Sequence, residues 1–271
     1  MKAAIRQQMI DIHNHNRKII FWKQRWVALG LVCLLFGVMC LFTSCDEHEP
    51  IDNDIHTGYI LCDDHSVMSL EAFKEVSHLA PVGVIFSAGS TEHPDLAVML
   101  FENDGIQYTN KIPLECNTSG DVTGLDGYVN SVGMFNTYEE EEFNDTVPDR
   151  ESSDPDAFKI VKRKEYYFSP LGQWVFASHE YGQSDYIPSY SEARLLQQNV
   201  HHVNSIIREL VKLGFEAQEI ATSGDCWYWT STEDADDDAN RAWLCSMGSP
   251  GFQQTPKFEP HKARAIVALN Y

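Results

Sequence analysis

A chain of 271 residues with 20 basic and 40 acidic side chains carries a formal charge of −20 at pH 7. So acidic a surface repels phosphate backbones and anionic headgroups, which excludes nucleic acid as a partner and a purely electrostatic hold on a membrane. The length is ample for one sizeable core, or at most two small ones.

The front of the chain is a targeting segment. Met1–Arg25 holds six basic residues and a single acid, Asp11. Trp26–Phe42 follows as an uncharged, apolar run of 17, and Thr43-Ser44-Cys45 closes it. Basic, then apolar, then small residues is the secretory pattern. A cysteine directly after Thr43-Ser44 resembles a bacterial lipobox, whose cysteine becomes the lipidated first residue. Residues 1–44 are therefore expected to be a lipoprotein signal peptide, with lipid attached at Cys45. The competing reading is an uncleaved anchor, since 17 residues reach the lower limit for a span. Either way the remainder leaves the cytoplasm. It keeps 14 basic and 39 acidic side chains, a net of −25. Acyl chains at Cys45 must then supply the membrane attachment. Asp46 and Glu47, directly after that cysteine, resemble the surface-export signal of Bacteroidota lipoproteins. The resemblance implies an outer-membrane protein facing the cell exterior.

Residues 45–56 are polar and acidic and read as a flexible tether. Gly58–Cys62 is a short apolar strand, and Asp63-Asp64 makes a turn after it. A helix is predicted from Ser69 to Leu79, stopped by Pro81. Val82–Phe86 and Leu96–Phe101 are apolar runs of strand length, and Asn103-Asp104-Gly105 is a turn signal after the second. The stretch at about 115–165 carries four consecutive glutamates, Glu139–Glu142. It reads as an insertion with a solvated acidic loop, not as a separate domain. Asp145-Thr146-Val147 within it resembles a short O-glycosylation motif. Tyr166–Ala177 resumes an apolar pattern around Trp174. Ser189-Tyr190-Ser191-Glu192 is a capping box that opens a helix carrying Leu195, Leu196 and Val200. Val203, Ile206, Ile207, Leu210 and Val211 extend the pattern as a second helix opened by Asn204, with Gly214 as its C-cap. His201 and His202 point about 100° apart on a helix and form a surface pair, not a metal site.

The last stretch alternates. Trp227 and Trp229 share one strand face, and Trp227–Thr232 is rich in aromatic and hydroxylated residues suited to a pleated surface. Ala263, Ala265, Val267 and Leu269 alternate with Arg264, Ile266 and Ala268, so the chain is expected to end inside a sheet. The order Ile187–Ala193 (I-P-S-Y-S-E-A), Trp227–Glu233 (W-Y-W-T-S-T-E), Ala242–Trp243 and Lys262–Ile266 (K-A-R-A-I) resembles the Lcl-type C-terminal domain, a domain of unknown function in many bacterial surface lipoproteins. That resemblance implies a C-type-lectin-like fold. It is α+β, with mostly antiparallel small sheets and two or three helices, here one domain over residues 57–271.

No G-x-S-x-G, H-E-x-x-H, phosphate-binding glycine loop or C-x-x-C occurs, so no enzyme is expected. The fold does host formylglycine-generating oxidases, which use a cysteine pair near the C-terminus. Cys226 and Cys245 lie there, but their surroundings do not match that family's motifs. In an exported chain they could bridge, or stay as buried thiols. Binding residues concentrate on loops of rigid scaffolds. The loop between Trp229 and Trp243 therefore supplies the ligand candidates Glu233, Asp234, Asp236, Asp238, Asn240 and Arg241, with Trp227 and Trp243 as stacking surfaces. Asp234, Asp236 and Asp238 are oxygen ligands suited to Ca²⁺, although the bland reading of each is a solvated loop and a core tryptophan. The sugar-binding triplets of calcium-dependent animal lectins are absent, and a lectin-like fold does not by itself imply a lectin. The expected role is adhesion to an extracellular glycan or protein. Its rivals are a structural surface component without a small ligand and a receptor tip diversified by a retroelement.

Overall fold

The computed structural model describes residues 55–90, 93–154, 156–177 and 185–269. The signal peptide, Cys45 and the tether up to residue 54 lie outside them. Among the described residues no helix is long and apolar enough to cross a membrane.

The chain enters β1 (Ile60–Cys62) and turns where the Asp64 side chain accepts the Ser66 N–H at 2.9 Å. It then returns as β2 (Val67–Met68). Ser69 caps α1 (Leu70–Glu75) by accepting the Ala72 N–H at 3.2 Å. This helix stops short of the predicted Leu79. Strands β3 (Pro81–Ser87) and β4 (Asp95–Ile106) follow. β4 runs straight through Asn103-Asp104-Gly105, the predicted turn, because His261, Ala263 and Arg264 pair with Ile106, Asn103 and Glu102. Long-range pairing overrides the local turn signal there. The Asn103 side chain still accepts the Gly105 N–H, at 3.1 Å.

The expected acidic loop is instead ordered structure. It contains α2 (Gly127–Asn136) and a two-stranded ribbon, β5 (Tyr138–Pro148) with β6 (Phe158–Phe168). Four glutamates disfavour a strand by propensity. Here Lys162 and Lys164 on the partner strand answer Glu142 and Glu140. α3 (Pro170–Ala177) packs on α2, with Phe176 tilted against Phe135 at 5.0 Å.

The capping box is present: Ser189 and Glu192 exchange bonds between side chain and backbone. The helix they open, α4 (Tyr190–Lys212), is continuous, and no second helix starts at Asn204. That residue is buried, and its amide both donates to Ile220 O and accepts the Ile220 N–H, each at 2.8 Å. Gly214, at φ +97°, ends the helix. Its N–H reaches Val211 O and that of Phe215 reaches Leu210 O, which is a Schellman closure.

The remaining strands are β7 (Trp227–Glu233), β8 (Arg241–Ser246), β9 (Phe252–Pro256) and β10 (His261–Leu269). Eight strands join in the order β2–β1–β3–β4–β10–β7–β8–β9. All pairs are antiparallel except β10–β7, which meet in parallel at a single pair, Lys262 with Tyr228. The result is two smaller sheets joined at one point. The class is α+β, with four helices among the described residues rather than two or three. The last strand lies inside a sheet, as its alternation implied; the structure makes it central, and it is mostly buried on both faces. Leu196, Val200, Val203, Ile207 and Leu210 of α4 cover one face, against Ile60, Val84, Phe86, Val98 and Leu100. Burial of each such side chain is worth about 1.5–3 kcal/mol. Met134, Leu171 and Val175, from α2 and α3, cover Trp229, Leu244, Ala263 and Ala265 on the other face.

Candidate functional site

The hairpin β7–β8 decides where each candidate side chain goes. Trp227 pairs with Ser246, Tyr228 with Cys245 and Trp229 with Leu244. Trp227 and Trp229 therefore share the face under α2 and α3, as predicted. Trp229 is fully buried, donates Nε1–H to Ile106 O at 2.8 Å and meets the Tyr108 ring edge-on at 5.4 Å. Trp243 lies on the opposite face, beside α4, where its ring meets Tyr190 edge-on at 5.3 Å. Trp227 and Trp243, both half-buried, thus cannot serve one ligand.

Glu233 does not face the solvent. It is 1% exposed, and its carboxylate accepts the Cys116 N–H (2.9 Å), the Thr118 N–H (3.1 Å) and the Thr118 hydroxyl (2.9 Å). The Lys257 ammonium, itself fully buried, ion-pairs with it and donates to Leu114 O at 2.8 Å. A buried pair is tolerable only with further hydrogen bonds, and here the carboxylate accepts three besides the ion pair while the ammonium donates to a carbonyl. Glu233 is thus a structural anchor that pins the end of β7 to the segment around Cys116.

Beyond it the chain makes helical turns, with Asp237 N–H on Asp234 O and Arg241 N–H on Asp237 O. Asp234 is buried, and its Oδ1 accepts the Asp236 N–H at 3.2 Å. Asn240 donates to Asp237 Oδ1 at 2.6 Å, and Arg241 reaches Gln254 O at 3.0 Å. Only Asp236 and Asp238 of the candidate carboxylates are exposed. Among the described residues no group of three or more His, Cys, Asp or Glu side chains is placed to hold a metal ion. The three aspartates do not converge, because the turn spends Asp234 on its own backbone.

Two residues not singled out in the sequence complete this face. Tyr190, the first residue of α4, stacks on Phe252 of β9 with ring centroids 3.8 Å apart. Together with Trp243 they form a half-exposed aromatic cluster. Tyr190 stands directly after the recognisable cap Ser189, and that was its only local signal. Phe252 had none.

The other recognisable motifs serve architecture. Arg264 is 2% exposed and spans three partners: Met99 O at 2.8 Å, Glu102 at 3.2 Å and Gln218 O. Tyr228 donates to the same Glu102 carboxylate at 2.7 Å. Glu192 takes the Tyr186 hydroxyl at 3.0 Å beside its cap bond, and burial pushes its carboxyl up. Cys226 and Cys245 are both free and buried. Met247 N–H bonds to Cys226 O, so Cys226 sits opposite Met247, diagonal to Cys245, and no bridge joins them. Burial pushes the Cys245 and Cys116 thiols up to about 12, so both stay protonated at neutral pH.

No family model, curated protein or solved structure matches the chain.

Proposed function

We propose that this chain is a lipid-anchored, non-enzymatic binding module of the bacterial surface. Its target is a glycan, stacked on the cluster of Trp243, Tyr190 and Phe252, with the exposed Asp236 and Asp238 of the β7–β8 loop as candidate hydroxyl acceptors. The observation that carries this reading is the half-exposed aromatic cluster of Tyr190, Trp243 and Phe252. Sugars present apolar C–H faces that stack on aromatic rings, and hydroxyls that bond to carboxylates. A central terminal strand and four sequence motifs in order support a C-type-lectin-like fold as the finer description. The high thiol pKa of Cys245 speaks against the oxidase reading, since the thiolate is the reactive form.

The test is a glycan array probed with residues 55–271, with and without Ca²⁺. A saturable signal that disappears in Trp243→Ala, and weakens in the double variant Asp236→Asn with Asp238→Asn, is the expected result. A blank array with folded protein, or a signal indifferent to Trp243, overturns the glycan reading. The alternative is a structural surface component, and one observation favours it. Phe158 and Ile160, on the β5–β6 ribbon, are 64% and 70% exposed. Exposed apolar side chains of that size suit a protein partner.

A further inference from the structure

A concavity lies beside α3, and none of the aromatic-cluster residues lines it. It has a volume of about 370 Å³, in the range of small-molecule sites. Its walls are mostly apolar: Val82 from β3, Met99 and Phe101 from β4, Trp174 from α3 and Ala265 from β10. Phe101 is 53% exposed, an unusual position for a phenylalanine that has nothing to cover. Two carboxylates line the space, Glu102 and Asp185. Glu102 is already satisfied by Arg264, Lys262 and Tyr228. Asp185 is not. It is 8% exposed, and no described residue shifts its carboxyl through a hydrogen bond or a charge. Burial alone pushes its carboxyl up to about 7.

An ionised carboxylate buried without a partner is costly. The missing partner can arrive with a ligand. We propose that this cavity binds a small amphiphilic amine, whose apolar body packs on Met99, Phe101, Trp174 and Ala265 and whose ammonium group pairs with Asp185. A neutral or anionic head gains less, because only a cation offsets the buried charge. The site shares no residue with the aromatic cluster, so it stands or falls independently of the glycan reading.

The experiment uses residues 55–271, which form one compact unit with its own core. The probe is 4-phenylbutylamine, followed by calorimetry at pH 7.5, with 4-phenylbutanol and 4-phenylbutyrate as the neutral and anionic analogues. One-to-one saturation by the amine is expected. Binding of the alcohol should be about tenfold weaker or more, since a hydrogen bond to a charged group is lost, and the carboxylate should not bind. Asp185→Asn should weaken the amine to the level of the alcohol. This variant removes a buried charge and is not expected to unfold the protein. Carboxyl NMR gives an independent readout: saturating amine should move the Asp185 titration to lower pH. Absence of amine binding, equal binding of amine and alcohol, or indifference to Asp185→Asn overturns the proposal.

Discussion

In the hairpin β7–β8, six of the seven residues of β7 are buried and the strand closes on a carboxylate held inside the protein. In the ribbon β5–β6, none of the residues in the eleven paired rows is buried, and carboxylates meet lysines and arginine in the open. Both begin from acidic sequence, E-D-A-D-D-D in one and E-E-E-E in the other. What separates them is the surroundings of each carboxylate rather than its residue type. Glu233 is buried and partnered by a lysine, Asp185 is buried with no partner among the described residues, and Glu140 and Glu142 are partnered on the surface. Coulomb attraction is strong only where water is excluded. The energetic weight of these acids should therefore rank in that order of burial.

The largest effect should follow loss of Lys257. Lys257→Ala leaves Glu233 charged in the interior, and breaking a buried pair from one side costs about 3–5 kcal/mol. The urea midpoint should fall accordingly. The double variant Lys257→Met with Glu233→Leu should recover most of that loss, because it removes both charges while filling the space. A Lys257→Ala variant as stable as the wild type would erase the distinction between the two hairpins.

Asp185 sharpens the comparison, since among the described residues it has the burial without the partner. Its folded pKa, at about 7, lies above the ordinary carboxylate value of 3.8. The folded state therefore holds a proton that the unfolded state releases between about pH 4 and pH 7. Stability from this group is fully present below about pH 4 and is lost as pH rises through 7. A tenfold difference in proton affinity between the two states is worth about 1.4 kcal/mol, which puts the total at roughly 4 kcal/mol at most. Denaturation of wild type and Asp185→Asn from pH 4 to pH 8 should show the variant flatter, with the two curves diverging toward high pH. Parallel curves would mean that Asp185 is solvated or paired.

How much of this was legible depended on distance along the chain. The Ser189–Glu192 cap could be read because both halves lie within four residues. That β10 lies inside a sheet could be read because Ala263, Ala265, Val267 and Leu269 alternate with Arg264, Ile266 and Ala268. Asn204 looked like a cap because Asn commonly is one, yet its amide is spent on Ile220, 16 residues on. Glu233 looked like a loop ligand because Lys257 lies 24 residues away and meets it only through the folded register. The aromatic cluster draws Tyr190, Trp243 and Phe252 from a helix and two strands, so no local spacing could announce it. The ribbon was invisible for the same reason: its acidic strand becomes a strand only when the Lys162–Lys164 segment pairs with it.

The smallest effect belongs to that ribbon. Lys164 bonds to Glu140 at 2.5 Å and Lys162 to Glu142 at 2.7 Å, all in water. Exposed pairs of this kind gain little, because solvent screens them and long side chains lose freedom in forming them. Replacing Glu140 and Glu142 with Gln should leave the urea midpoint of the whole unit unchanged, at low salt and at high salt alike. It should nevertheless matter locally. A two-stranded ribbon is marginal on its own, and the variant leaves Lys162 and Lys164 without the carboxylates that face them. Amide hydrogen exchange should therefore speed up between Tyr138 and Phe168 in the variant, while β7 and β10 keep their protection. If exchange rises in all three strands together, the ribbon folds as one unit with the core. Its acids would then belong with Glu233 rather than opposite it.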